Sequence, residues 1–108
     1  MDKLLNFLGL CCRAGKLTTG NDAVKDKVLE RKAKLVLTSS DISKNTEKKM
    51  LITCHKNDTK ALRLPRTTEQ LSLAVGRFCA VVAVLDSGFA TKLVALIENE
   101  KQEENVYD

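Results

Sequence analysis

A chain of 108 residues, 44% hydrophobic and 30% charged, is long enough to bury one core without disulfide staples and too short for two. It has no Trp and only Phe7, Phe78, Phe89 and Tyr107 as aromatics, which argues against base stacking on an aromatic platform, and no apolar run that would span a bilayer. The net charge of +4 is uneven: residues 98–108 hold five acids against one lysine, leaving 17 basic against nine acidic residues, or +8, on the remainder.

Taken in chain order, Leu4, Leu5, Leu8 and Cys11 or Cys12 recur at helical spacing, and Ala14-Gly15 ends this first helix. Lys16 to Thr19 is short and β-leaning. Gly20 breaks it, and Asn21 or Asp22 suits the N-cap of a second helix carrying Val24 and Val28 on one face and ending by Lys32. Ala33 to Thr38 contains the unbroken apolar run Leu35-Val36-Leu37, the pattern of a strand covered on both faces. Ser39-Ser40-Asp41 is polar punctuation, and Ser43 or Asn45 caps a third helix to His55 with Met50, Leu51 and Cys54 inward.

A loop at 56–59 leads to a short strand from Ala61 to Leu64, ended by Pro65. A fourth helix starts near Thr67 or Thr68 and buries Leu71, Ala74 and Val75. Gly76-Arg77-Phe78 forms a tight exit into a nearly all-apolar strand, Cys79 to Leu85, and Ser87 caps a final helix holding Phe89, Leu93, Leu96 and Ile97. Alternating helices and apolar strands without repeats predict an α/β fold, a three-layer α/β/α sandwich around a small mixed four-stranded sheet. The domain is expected over residues 1–97, with 98–108 as a disordered acidic tail.

Four cysteines, the adjacent Cys11-Cys12, Cys54 and Cys79, match no zinc spacing, and the lone His55 sits directly beside Cys54. Buried, inert thiols are the simpler reading than redox or nucleophilic chemistry. Asp41 after a strand end could serve as a metal or phosphoacceptor carboxylate, but it lacks partner acids nearby, and a polar loop or cap role is the plainer one. No cofactor, metal or small-molecule substrate is expected. Reduced cysteines and the lack of a secretory signal pattern point to the cytoplasm, and a monomer is expected.

The most informative stretch runs from Arg13 to Asp41. A helix that begins near Gly20 and Asn21 leaves its first N–H groups unpaired at the positive end of its dipole, where anions are favoured. Lys16, Lys25 and Lys27 add mobile charge. Asn21 offers a donor and an acceptor to a purine edge, and Lys25, one turn later on the same face, can reach a phosphate. Asp22 either accepts from a guanine amino group or caps the helix, and Asn21 could likewise be only a cap. Arg13, Lys16, Lys32, Lys34 and Lys44 form a candidate halo of phosphate contacts, or individually a solvated surface.

Several motifs together resemble those of the superfamily of large-subunit ribosomal proteins 7Ae and 30e, in particular its bacterial YlxQ-like branch. They are Leu8-Gly9-Leu10 with Arg13-Ala14-Gly15-Lys16, Gly20, Ala33-Lys34-Leu35-Val36-Leu37 with Asp41, Thr68-Glu69-Gln70-Leu71 with Ala74-Val75-Gly76, and Asp86-Ser87-Gly88-Phe89-Ala90 with Lys92-Leu93. The likeness covers residues 3–97. It implies an α/β/α sandwich that binds kink-turn RNA, a sharply bent helix flanked by sheared G·A pairs, and it implies no enzyme activity. Ribosomal RNA and a place on the ribosome belong to the same expectation.

In that family the contact surface comes from the glycine turn with the start of the second helix, and from the loop before the last strand. Here these are Gly20 to Lys25 and Gly76 to Ala80. The family motif is Gly-x-Asn-Glu-x-x-Lys. A gapless alignment puts Asp22, Ala23 and Asp26 at its polar positions, while a one-residue slip recovers Asn21, Asp22 and Lys25. In the second segment Arg77, Phe78 and Cys79 stand where the family places small apolar residues against exposed bases. Phe78 either stacks there or joins the core. Ala23 and Asp26 motivate an alternative, a protein-interaction scaffold of the same fold without specific RNA binding. A weaker third reading is the RNA-substrate domain of an RNA methyltransferase, whose catalytic half is missing from these residues.

Overall fold

A computed structural model describes residues 2–106, with side chains to residue 102. Its elements are α1 (Lys3–Arg13), β1 (Leu17–Thr19), α2 (Asn21–Leu29), β2 (Leu35–Thr38), α3 (Lys44–Lys56), β3 (Ala61–Arg63), α4 (Thr68–Val75), β4 (Val81–Val84) and α5 (Ser87–Val106). The four strands form one sheet in the order β1-β4-β2-β3. Strand β4 runs antiparallel to both β1 and β2, and β2 is parallel to β3.

All residues of the central strands β2 and β4 are buried, as their unbroken apolar runs predict. Strand pleating sends alternate residues to opposite faces. Leu35, Leu37, Val82 and Val84 pack with Leu4, Leu8, Leu71, Leu93 and Ile97 from α1, α4 and α5. Val36, Val81 and Ala83 pack with Val24, Val28, Met50 and Cys54 from α2 and α3. This is the three-layer α/β/α sandwich around a mixed four-stranded sheet.

Local signals start and stop the helices. The Asp2 carboxylate accepts the Leu5 N–H at 3.0 Å, Ser43 accepts from Thr46, and Thr67 with Gln70 forms a reciprocal capping box. At α5 the expected cap is displaced by one residue: Asp86, not Ser87, accepts the Phe89 N–H at 2.9 Å, and Ser87 is the first helical residue. Helix α2 stops at Leu29, within the expected limit of Lys32, and Arg31 turns the chain through a left-handed conformation at φ 60°. Leu51, expected inward, lies 41% exposed, since Met50 and Cys54 share the buried stripe one turn apart and Leu51 sits about 100° round from Met50.

The expected tail boundary also moves. Residue 97 falls inside α5, which continues through the acidic stretch to Val106, and Glu100 forms a bidentate pair with Arg66 at 2.9 Å for each bond. An ion-paired Glu100 belongs to the folded body, and composition alone did not show its partner 34 residues upstream. Tyr107 and Asp108, the end of the expected tail, lie outside the described residues.

A candidate nucleic-acid interface at one end of the sheet

Glycine 20 is the N-cap of α2, with φ 96° and ψ 148°, a conformation that L side chains rarely adopt. Neither Asn21 nor Asp22 is the cap; both lie inside the first turn, and no side chain closes it. Val24 donates the first bond of the helix, to the Gly20 carbonyl, so the N–H groups of Asn21, Asp22 and Ala23 have no carbonyl upstream within the helix. Burial of Val24 and Val28 fixes which side faces the sheet. Asn21, Asp22, Ala23, Lys25 and Asp26 are all exposed. Asn21 and Lys25 lie one turn apart on one flank, and Asp22 and Asp26 one turn apart on the outward face.

The Gly20 N–H itself donates to the Val81 carbonyl at 3.0 Å, which ties the start of α2 to the start of β4 and to the loop that precedes it. That loop leaves α4 through Gly76 in the left-handed conformation, φ 81° and ψ 16°. The Ser72 hydroxyl pins it from beneath, accepting the Cys79 N–H at 3.0 Å and donating to the Cys79 carbonyl at 3.3 Å. Cys79 is therefore drawn into the core, 3% exposed, and burial raises the pKa of its thiol. Its side chain is closed to a ligand, which corrects its place among the contact residues.

Phe78 takes the opposite direction. It is 87% exposed, and beside it Leu73 is 79% exposed, the two forming an open groove with Arg77, Asp41 and Thr68. An aromatic next to a buried strand ordinarily joins the core, but the pinned backbone at Cys79 sends the preceding side chain outward. Nothing in the one-dimensional pattern distinguished Phe78 from Cys79, because both are apolar.

The groove floor is held by a polar network. Asp41 accepts from the N–H and the hydroxyl of Thr68, each at 2.8 Å, and Thr68 shares a second bond at 2.8 Å with the buried Ser39 hydroxyl. The Thr68 hydrogen bonds hold the Asp41 carboxyl below its usual range. Asp41 lies in the loop after β2 and fastens α4 to it, while Ser43 and Thr67 are the caps of α3 and α4. Burial pushes the Cys11 and Cys54 thiols up to about 11, so neither is a thiolate near neutral pH. Among the described residues no three His, Cys, Asp or Glu side chains come together as a metal site.

The structure does not bring Lys16 and Lys34 to this corner. The Lys34 N–H donates to Val84 at 2.7 Å and the Lys16 carbonyl accepts from Leu85 at 2.8 Å, so both residues mark the opposite end of β4. A strand rise of about 3.3 Å per residue separates that end from Gly20 by roughly 10 Å or more. Gly20, Asn21, Asp22, Lys25, Arg77 and Phe78 form the corner, with Lys16 and Lys34 as a second, separate basic patch.

A four-stranded mixed sheet carrying an uncapped helix start against a pinned glycine loop is the frame of one protein class, and residues 2–105 match the ribosomal protein L7Ae/L30e/S12e/Gadd45 family, to which this chain belongs. Two relatives bear the name RNA-binding protein YlxQ. That of Enterococcus faecium is 34% identical over 96 residues, covering 89% of this chain and 92% of the relative. That of Bacillus subtilis (strain 168) is 37% identical over 93 residues, covering 85% and 92%. Among solved structures, a protein of unknown function from Bacillus halodurans is 35% identical, with a TM-score of 0.85 over 91% of this chain and 99% of that one. A Giardia lamblia 15.5kD RNA binding protein shares the fold at 15% identity, with a TM-score of 0.73 over 92% and 91% of the two chains. No described helix is long and apolar enough to cross a membrane.

Proposed function

We propose that this protein binds RNA, and that it recognises kink-turn RNA through the corner formed by the start of α2 and the loop between α4 and β4. The observation that carries the reading is the Gly20–Val81 hydrogen bond, which ties the unpaired helix N–H groups to the strand that follows the loop bearing the exposed Phe78. The helix start suits a phosphate or an acceptor on a base edge. Asn21 and Lys25, on one flank, pair a base-reading amide with a phosphate-binding ammonium. Asp22 and Asp26 share the outward face and would present only negative charge to the backbone, which favours the slipped register for contact.

Phe78 offers a stacking face to an unpaired base, with Arg77 beside it for the flanking phosphate. Straight A-form RNA hides its bases within the stack, whereas a bent, partly unstacked one exposes the chemistry this corner accepts. The cytoplasm, ribosome-associated RNA as target and a monomeric protein are the setting that fits this reading. The test is a gel shift with a kink-turn duplex against a straight duplex of the same length. Preferential binding of the bent duplex is expected, and equal weak binding to both would overturn specific recognition. In that case the interaction-scaffold alternative gains, provided that Asn21→Ala and Lys25→Ala leave the weak binding unchanged.

A further inference from the structure

Three strands begin at the end of the sheet away from Gly20, and a lysine directly precedes each of them: Lys16 before β1, Lys34 before β2 and Lys60 before β3. The fourth strand, β4, ends there. Its pairing registers bring Lys16 and Lys34 level with Leu85, one on either side, and Lys60 lies one strand beyond Lys34. At about 4.8 Å between neighbouring strands, the three backbones stand in a row with steps of roughly 10 and 5 Å. All three residues are exposed. Their main chain is held by hydrogen bonds from Leu85 to Lys16 at 2.8 Å, from Lys34 to Val84 at 2.7 Å and from Val36 to Lys60 at 2.9 Å.

The positive charge of the molecule is gathered around this row. The segments that meet there, residues 13–16, 27–34, 56–60 and 85–86, hold eight basic and three acidic residues, a surplus of +5 against +4 for the whole chain. The Arg31 guanidinium donates to the Asn57 carbonyl at 3.4 Å and so joins two of these segments. Two of the three acids are engaged: Glu30 lies 3.8 Å from Lys27 and 3.4 Å from Lys32, and Asp86 caps α5, which leaves Asp58. Among the described residues no carboxylate pairs with Lys16, Lys34 or Lys60. Leu29 is the one large apolar side chain exposed in these segments, too little for the apolar centre of a protein interface. Free ammonium groups over a closed main chain attract phosphates and read no base edges.

We propose that this end is a second RNA site, in which Lys16, Lys34 and Lys60 hold the phosphates of a single-stranded segment without regard to its base sequence, independently of the Gly20 corner. The inference rests on the RNA-binding reading above for the identity of the polyanion, and not on recognition of bent RNA. Each lysine carries a compact charge on a flexible four-carbon stem, so a row spaced by the sheet can follow a strand whose phosphates are not fixed in one geometry. The two ends then divide the work: one offers directional groups, and the other offers the charge surplus.

The full chain is titrated by fluorescence anisotropy against a labelled oligouridylate of about 12 nucleotides and against a kink-turn duplex, over a salt series starting near 50 mM. Changing Lys16, Lys34 and Lys60 each to Gln should weaken the oligouridylate roughly thirtyfold and flatten its slope of log affinity against log salt by about 2, while the kink-turn duplex loses no more than about fivefold. The thermal midpoint should not move, since all three side chains are exposed. Lys3→Gln with Lys48→Gln and Lys49→Gln removes the same charge from other exposed positions and should weaken the oligouridylate less than about threefold. Asn21→Ala with Lys25→Ala should leave oligouridylate binding within the same limit. Equal losses in the two lysine variants, dependence of the oligouridylate on Asn21 and Lys25, or a polyglutamate chain of equal charge bound as tightly would each overturn the second RNA site. If bent and straight duplexes bind alike while the oligouridylate still depends on the three lysines, kink-turn recognition falls and the second site stands. A preference for bent RNA beside an oligouridylate indifferent to the three lysines removes the second site alone.

Discussion

The two ends of the sheet are both rich in lysine or arginine, yet they differ in what their backbones offer. At the Lys16 and Lys34 end the main-chain groups are paired off, with Leu85 to Lys16 and Lys34 to Val84, and the cations stand on closed loops. At the Gly20 end a helix starts without a cap and is tied to Val81 through its backbone, and a loop is pinned by the Ser72 hydroxyl so that Phe78 projects. Under the proposed function the contrast matters because phosphate attraction is indifferent to RNA shape, while directional base and backbone contacts are not.

Breaking the Gly20 end should have the largest effect. The double variant Asn21→Ala with Lys25→Ala should lose about 2–4 kcal/mol of affinity for bent RNA, measured by titration at fixed salt, from one base-edge contact and one phosphate contact. Its stability should stay within about 0.5 kcal/mol of wild type, since both side chains are exposed. Undamaged binding would detach this corner from RNA. Ser72→Ala tests the pin of the loop. Removing the hydroxyl takes the partner from the Cys79 N–H and carbonyl, which should lower stability by about 1–3 kcal/mol in a denaturant titration, and bent-RNA affinity should fall with it.

Phe78→Ala separates stacking from folding. Affinity should fall by about 1–2 kcal/mol with the thermal midpoint unchanged, as expected of an aromatic already in solvent. Lys16→Ala with Lys34→Ala should have the smallest effect, at most about 1 kcal/mol on bent and straight RNA alike. A selective loss on bent RNA in this variant would merge the two ends into one site.

Acid sharpens the same contrast. Arg66 holds the Asp2 carboxyl, Thr68 that of Asp41 and Arg63 that of Glu47 below their ordinary values, and all three lie towards the Gly20 end. A depressed carboxylate pKa contributes stability that is present above the unfolded-state values and lost as pH falls through the folded-state ones. Amide exchange or NMR shifts followed from neutral pH to below pH 4 should thus show the Gly20 end loosening before the core strands.

Much of the fold was legible in the residues taken singly. The apolar runs at Leu35-Val36-Leu37 and from Val81 to Val84 mark strands covered on both sides, because a stretch with apolar residues on both faces must be enclosed. Gly20 marks a helix start because few other residues accept its backbone angles. Local sequence also carries Ser43 as a cap and Thr67 as a helix start, since a capping bond closes within three residues.

Other decisions depended on neighbours distant in the chain. Whether Cys79 or Phe78 points inward is settled by Ser72 gripping the loop, and hydrophobicity cannot choose between two apolar neighbours. The acidic run after Ile97 reads as a tail until Arg66 supplies a partner for Glu100. Lys16 sits four residues from Gly20 in sequence, but an extended strand carries it to the other end of the sheet. Sequence by itself determined the layers, the strands and the glycine turn, because these follow from short-range periodicity and backbone sterics. Tertiary structure alone decided which side chains share the Gly20 corner, because that depends on strand order and on hydrogen bonds between segments that the chain keeps far apart.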